Sequence, residues 1–268
     1  MRQAFDRPAI VTDYFLTHHE EEDIYLSLHA LLNCLSEDEI GELYFEHCAV
    51  NPELKRSVES YIHRHSQTRP RRSFDKIARR LLAAYPKESY DFQIKVRVFL
   101  TGMVRNLSTQ TIKTFFDLFI TSQRVIDRRR AGEVADLIFS DEVEGKLWDN
   151  YYQHRDEESL IPLVRCLPPN DLCKHMKNCW TATFPSYRIK NQVIDKISAV
   201  EVTHLAFLKK RDPSYYVRAM VLKGRKVAAG PINRLKKTLP DDQQKFIVWY
   251  LGLTQNWDLV WKHLNLPR

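Results

Sequence analysis

Pro185-Ser186-Tyr187-Arg188-Ile189-Lys190-Asn191-Gln192-Val193-Ile194 is answered by Pro213-Ser214-Tyr215-Tyr216-Val217-Arg218-Ala219-Met220-Val221-Leu222 at a spacing of 28 residues. Four of the ten positions are identical and three more are similar. A weaker third copy starts 27 residues on, at Pro240, and keeps a basic residue at the same offset (Lys245), then Val248 and the large apolar Trp249. A period of this length fits two short helices and two turns. One such pair cannot bury its apolar face alone, so successive pairs must stack.

Outward from the repeat, helical periodicity continues. Towards the N-terminus, Ile24, Leu28, Leu31, Leu32 and Leu35 recur three and four apart. Ser36-Glu37-Asp38-Glu39 has capping-box spacing, with Ile40, Leu43 and Tyr44 behind it. Pro52 opens a helix through Leu54, Val58, Tyr61 and Ile62. The pattern predicts further helices over 74–85, 90–107, 109–122 and 123–139, and another from Ser140 to about residue 154. Prolines at 168, 185, 213, 231 and 240 stand where helices begin, because a first turn does not need the missing N–H. No segment alternates as a half-buried strand would. The basic stretch 66–72 divides an N-terminal helical region, 1–70, from a helical-repeat region, 71–268, and the two could form one continuous array.

The proline-led helix, with a basic residue five positions on and aliphatics after it, resembles HEAT-like and armadillo-like repeats. The resemblance covers roughly 185–250, and helical rhythm carries it to about 124–264, with Asp127-Arg128-Arg129-Arg130-Ala131 as a degenerate copy. It implies an all-α chain: a right-handed α-solenoid of stacked short helix pairs, preceded by an N-terminal helical region.

Composition agrees. Hydrophobic residues make up 44% and charged residues 28%, as in ordinary globular chains, so most of the length is expected to fold. Seven glycines are few, which suits helices with tight connections. Five cysteines, an odd number without a CxxC pair, argue against a disulfide framework or a zinc knuckle and suit a reducing, cytoplasmic location. The acidic run through Glu20, Glu21, Glu22 and Asp23 fits no signal peptide, and no apolar stretch of about 18 residues predicts a membrane span.

Charge is distributed unevenly. Residues 1–60 carry 4 basic and 13 acidic side chains, whereas 180–240 carry 13 and 3, within an overall net of +7. A polyanionic partner is therefore expected for the C-terminal half, nucleic acid (DNA or RNA) first among them. The acidic N-terminus suits docking of a protein partner. The candidate nucleic-acid-binding residues form three clusters: Lys209, Lys210 and Arg211; Lys223, Arg225 and Lys226; and Arg234, Lys236 and Lys237. Such a stripe would neutralise phosphates with little base readout, and Tyr187, Tyr215 and Tyr216 lie close enough in sequence to stack on bases. Lys190, Arg218 and Lys245 recur at the repeat period instead. They are expected to bridge repeats through carboxylates such as Asp195, Asp212 and Asp241.

No catalytic fingerprint is present: no P-loop, no nucleophile elbow, no HExxH. No metal and no cofactor is expected. His18 to Glu22 reads as the acidic start of a helix, His63 and His65 as cationic residues at a helix end, and Cys173 and Cys179 as buried, inert thiols. Leu147-Trp148-Asp149 and Asp258-Leu259-Val260-Trp261 resemble segments of HEAT-repeat alkylpurine DNA glycosylases, which implies a base-excising enzyme. Tyr152 stands where that family places its catalytic carboxylate, so Asp149 would have to substitute. The tryptophans at 148, 249, 257 and 261 read otherwise as packing residues. The expectation is a non-enzymatic helical-repeat protein that binds nucleic acid or another polyanion. The alternatives are a protein–protein scaffold without a nucleic-acid role and a glycosylase-like repair enzyme.

Overall fold

A computed structural model describes residues 6–65, 72–87, 89–181, 184–223, 225, 252, 257 and 258. Every regular element among them is a helix, and none is long and apolar enough to cross a membrane. The chain divides into two compact units, Met1–Ser140 and Asp141–Arg268.

The N-terminal unit contains α1 (Arg7–His18), α2 (Ile24–Cys34), α3 (Glu37–Glu42), α4 (Pro52–His65), α5 (Asp75–Ala84), α6 (Tyr90–Met103), α7 (Thr109–Ile120) and α8 (Val125–Val134). Local chemistry sets their starts. Asp6 caps α1 by accepting the Ala9 N–H at 3.0 Å. Ser36 and Glu39 form the full capping box of α3, and Ser89 and Ser108 cap α6 and α7. The α3 helix widens into a π-helical turn at Leu43–His47. Helix α1 is an element that the periodicity reading passed over, although Val11 and Phe15, four apart, form its buried face. His18 ends α1 rather than opening a helix. Its ring stacks on Tyr14 at 4.4 Å, and the acidic residues 20–22 form the turn that follows.

Alternate helices pack on one another. One row runs α2 on α4, α4 on α6 and α6 on α8; a second runs α3 on α5 and α5 on α7. Backbone caps tie the second row together. Glu37 Oε1 accepts the Lys76 N–H and Asp75 Oδ1 accepts the Ser108 N–H, each at 2.8 Å, so a first-turn carboxylate of one helix closes the start of the next but one. Phe115, Phe116 and Phe119 are wholly buried on α7, each contributing about 2–3 kcal/mol of apolar burial. Residues 6–65 belong to this core: Arg72 donates to the Leu32 carbonyl at 3.0 Å, and the Asn106 amide donates to the Arg72 carbonyl at 2.7 Å.

The C-terminal unit contains α9 (Asp141–His154), α10 (Leu160–Cys166), α11 (Pro169–Cys179), α12 (Tyr187–Ile197), α13 (Leu208–Arg211) and α14 (Pro213–Leu222). Helix α10 packs on α12 and α12 on α14, while α11 lies against α12 and against a 3-10 turn at His204–Phe207. Pro168, expected in a first turn, is the N-cap of α11, with Pro169 behind it in the first turn, and Pro213 occupies the first turn of α14 as expected. Pro185 does not. Helix α12 opens two residues later, with Ser186 as its N-cap, so helices in the two motif copies start 26 residues apart while the motifs stand 28 apart. The expected copy at Pro240 lies outside the described residues.

Candidate nucleic-acid interface

Among the described residues of the C-terminal unit, some cations hold the scaffold and others are exposed. Lys190 is of the first kind. Only 3% of it is exposed, and its ammonium donates to Asp212 Oδ2 at 2.6 Å and to the Thr181 carbonyl at 2.7 Å. It lies 5.2 Å from the ring centroids of both Trp180 and Tyr215. Trp180, wholly enclosed, donates its indole N–H to the same Asp212 oxygen at 3.2 Å. Arg218 reaches back from α14 to α12, donating to Asn191 Oδ1 at 2.6 Å and pairing with Asp195 at 2.9 Å. The two described members of the periodic ladder therefore bridge stacked helices through carboxylates; Lys245 lies outside the described residues.

The N-terminal unit repeats the device. Arg97 on α6 donates to Asp127 Oδ1 at 2.6 Å, and Asp127, in the first turn of α8, is 1% exposed. Tyr85 and Ser122 each donate to Asp127 at 2.8 Å. Burial and the bond to that carboxylate push the Tyr85 phenol up to about 12. The pairing of a helix cation with an acid at the start of the next stacked helix links α6 to α8 as it links α12 to α14. The Asp127 segment was singled out in the sequence, but its partner Arg97, 30 residues away, carried no periodic signal.

The candidate binding residues divide in the same way. Lys209 and Lys210 are exposed on α13, with the Lys209 ammonium 5.1 Å from the Tyr216 ring centroid. Arg211, although exposed, donates to the Lys177 carbonyl and, at 3.4 Å, to the Trp180 carbonyl, and so caps the C-terminus of α11. Lys223 does likewise at the end of α12, donating to the carbonyls of Ser198 at 2.8 Å and Val200 at 2.6 Å. Arg225 is exposed. Lys226, Arg234, Lys236 and Lys237 lie outside the described residues. Of the tyrosines, Tyr187 is 69% exposed, Tyr216 is buried, and Tyr215 packs edge-on against Trp180.

Arg211 brings the basic run of α13 to the end of α11. Between α11 and the 203–207 segment opens a groove of about 400 Å³, lined by Asn170, Asp171, Cys173, Lys174, Lys177, Thr203, His204, Ala206 and Phe207. Lys174 and Lys177 are exposed, one turn apart on one side of α11, and the buried Leu172, Cys173 and Met176 define its other side. These two lysines were not among the sequence candidates. The signal was present, as cations three apart beside a buried apolar row, but only folding sets residues 203–207 opposite them. Burial pushes the Cys173 thiol above its ordinary range, in keeping with a packed, inert cysteine.

Other chemistry finds less support. Trp148 is buried, stacked on His175 at 4.4 Å, while Asp149 is exposed on α9 and does not line the groove. Trp257, read as a packing residue, is exposed instead. Asp6, Glu42 and His47 bring one potential ligand atom each within 4.8 Å of one another in the N-terminal unit, at an open surface of the kind acidic groups often form without an ion. Comparison of the chain with protein-family models, with curated proteins and with solved structures finds no match in any of the three.

Proposed function

We propose that this chain is a non-enzymatic helical-repeat protein, a right-handed solenoid of stacked short helix pairs, whose basic C-terminal surface binds a polyanion, nucleic acid foremost. The observation that carries the reading is the contrast among cations in one unit. Lys190 and Arg218 are neutralised by carboxylates, and Arg211 and Lys223 close helix ends. Lys174, Lys177 and Lys210 are exposed and, among the described residues, have no carboxylate partner. Exposed lysines such as these, two of them lining a groove, neutralise phosphates and so release the counterions condensed on a nucleic acid. Alternate-helix packing within each unit, tied by buried cation–carboxylate pairs, supports the repeat architecture.

Fluorescence anisotropy of a labelled oligonucleotide against salt concentration tests this. Affinity is expected to fall linearly on a log–log scale. The triple variant Lys174→Glu, Lys177→Glu, Lys210→Glu is expected to make the slope shallower by about 2, since each phosphate contact on a single strand contributes roughly 0.7. No binding at low salt, or affinity indifferent to salt, overturns the proposal. Salt-dependent self-association without oligonucleotide affinity would point instead to a scaffold in which acidic and basic surfaces of different copies pair. The glycosylase alternative draws no support from the exposed Asp149 or the buried Trp148, and release of alkylated bases that is lost in Asp149→Asn would be needed to revive it.

A further inference from the structure

The groove beside α11 carries charges of both signs. Asp171, Lys174 and Lys177 lie three apart along α11, so they form one row over about 9 Å of helix. The row begins with a carboxylate and ends with two ammonium groups. Cys173, Ala206 and the half-buried Phe207 make the apolar side of the groove, and Asn170, Thr203 and His204 complete its rim. The side chains of Asn170, Asp171, Lys174, Lys177, Thr203 and His204 have no hydrogen-bond or ion-pair partner among the described residues, so the fold does not consume them. A volume of about 400 Å³ lies in the range of small-ligand sites.

We infer that this groove seats one unpaired nucleotide of a single strand, with the base against Phe207, the phosphate on Lys174 and Lys177, and an amino group of the base donating to Asp171. The inference rests on the proposed polyanion binding and narrows it. A purely anionic chain such as polyphosphate, or an acidic peptide, would gain from the lysines but be repelled by Asp171. A nucleotide has both halves that the groove asks for: a flat apolar ring with hydrogen-bond donors at one end and a negative charge at the other. A duplex keeps its base edges paired and stacked, so the base must be unpaired to enter. Adenine, cytosine and guanine carry the exocyclic amino group; thymine and uracil do not.

Labelled dC12 and dT12 compared by anisotropy at one low salt concentration test that group, because the two strands match in length, charge and ring size and differ only at the base edge and the thymine methyl, which the pair rC12 and rU12 lacks. The full chain is expected to bind dC12 on the order of tenfold more tightly, the worth of a hydrogen bond to a charged acceptor. In Asp171→Ala the preference is expected to vanish, with dT12 affinity unchanged or higher. In Phe207→Leu both strands are expected to weaken by roughly tenfold through lost stacking, with far-UV circular dichroism confirming that the variant folds. The pair rC12 and rU12 is expected to show the same gap, and the tighter-binding pair identifies the strand as DNA or RNA. Equal binding of dC12 and dT12, a gap that survives Asp171→Ala, or equal competition by a duplex or by polyphosphate overturns the nucleotide site while leaving salt-dependent polyanion binding in place. Failure of every strand to bind overturns both readings together.

Discussion

Lys190 shows how a single side chain can be mistaken for a binding group on composition alone. It belongs to the most basic stretch of the chain, yet it is enclosed between Trp180 and Tyr215 and paired with Asp212. Removing only one partner of such a pair strands the other in the interior. Lys190→Met is therefore expected to cost about 3–5 kcal/mol in urea unfolding, and Lys190→Met with Asp212→Leu to recover a large part of that loss. A second residue-scale effect concerns histidines of the N-terminal unit. Burial, then the charge of Arg64 and of His65, holds His29 below its ordinary value; burial, then Arg72, does the same to His65. Both pack on the Tyr61 ring, and His65 bonds Asn33 at 2.9 Å. The folded state thus takes up these protons less readily than the unfolded chain. Their contribution to stability is present above the ordinary value of 6.5 and is lost as pH falls below it. A thermal melt is expected to move to lower temperature between about pH 7.5 and about pH 5.5, and His65→Gln to reduce that movement.

At the scale of elements, the row α3, α5, α7 is held by carboxylates used twice. Asp75 begins its own helix and closes the start of α7 through the Ser108 N–H. Burial works to raise its carboxyl, but the bonds from Ser108 and Thr111 and the charge of Arg79 outweigh it and hold Asp75 below the usual carboxylate value. Asp75→Ala is expected to destabilise the chain by about 1–2 kcal/mol, read as a lower urea midpoint with an unchanged slope. The effect should shrink as pH falls through the carboxylate range, because protonation already removes the charged acceptor from the native protein. In the C-terminal unit, Arg211 and Lys223 act on helix ends rather than helix starts. Replacing either is expected to lower stability before it alters polyanion affinity, in contrast to Lys174 and Lys177.

The whole molecule consists of two units, each with its own buried apolar residues and its own cation–carboxylate pair between stacked helices. Residues 1–140 produced alone are therefore expected to keep a helical circular-dichroism spectrum, to melt cooperatively and to retain the acid sensitivity set by His29 and His65. A fragment that is unfolded or melts without cooperativity would refute that independence. The charge difference along the chain runs with this division: the strongly acidic residues 1–60 fall in the first unit and the strongly basic residues 180–240 in the second.

Much of the helical fold was legible from local signals. The Ser36–Glu39 box, Pro52 and the apolar rows of α2 and α4 act within a few residues of themselves, so these helix starts and faces could be read without knowing what packs where. The repeat at Pro185 and Pro213 carried the same information over a longer span, including the bridging part of Lys190 and Arg218. Tertiary structure alone decided which cations remain open. Arg211 and Lys223 look like Lys210 in sequence, but a carbonyl left over at the end of a neighbouring helix takes up each of the first two. It also decided the candidate site. Asp171, Lys174 and Lys177 share a helix face by spacing, but the wall that makes them a groove comes from residues 203–207. A contact between segments about 30 residues apart depends on how the intervening helices stack, and no local periodicity records it.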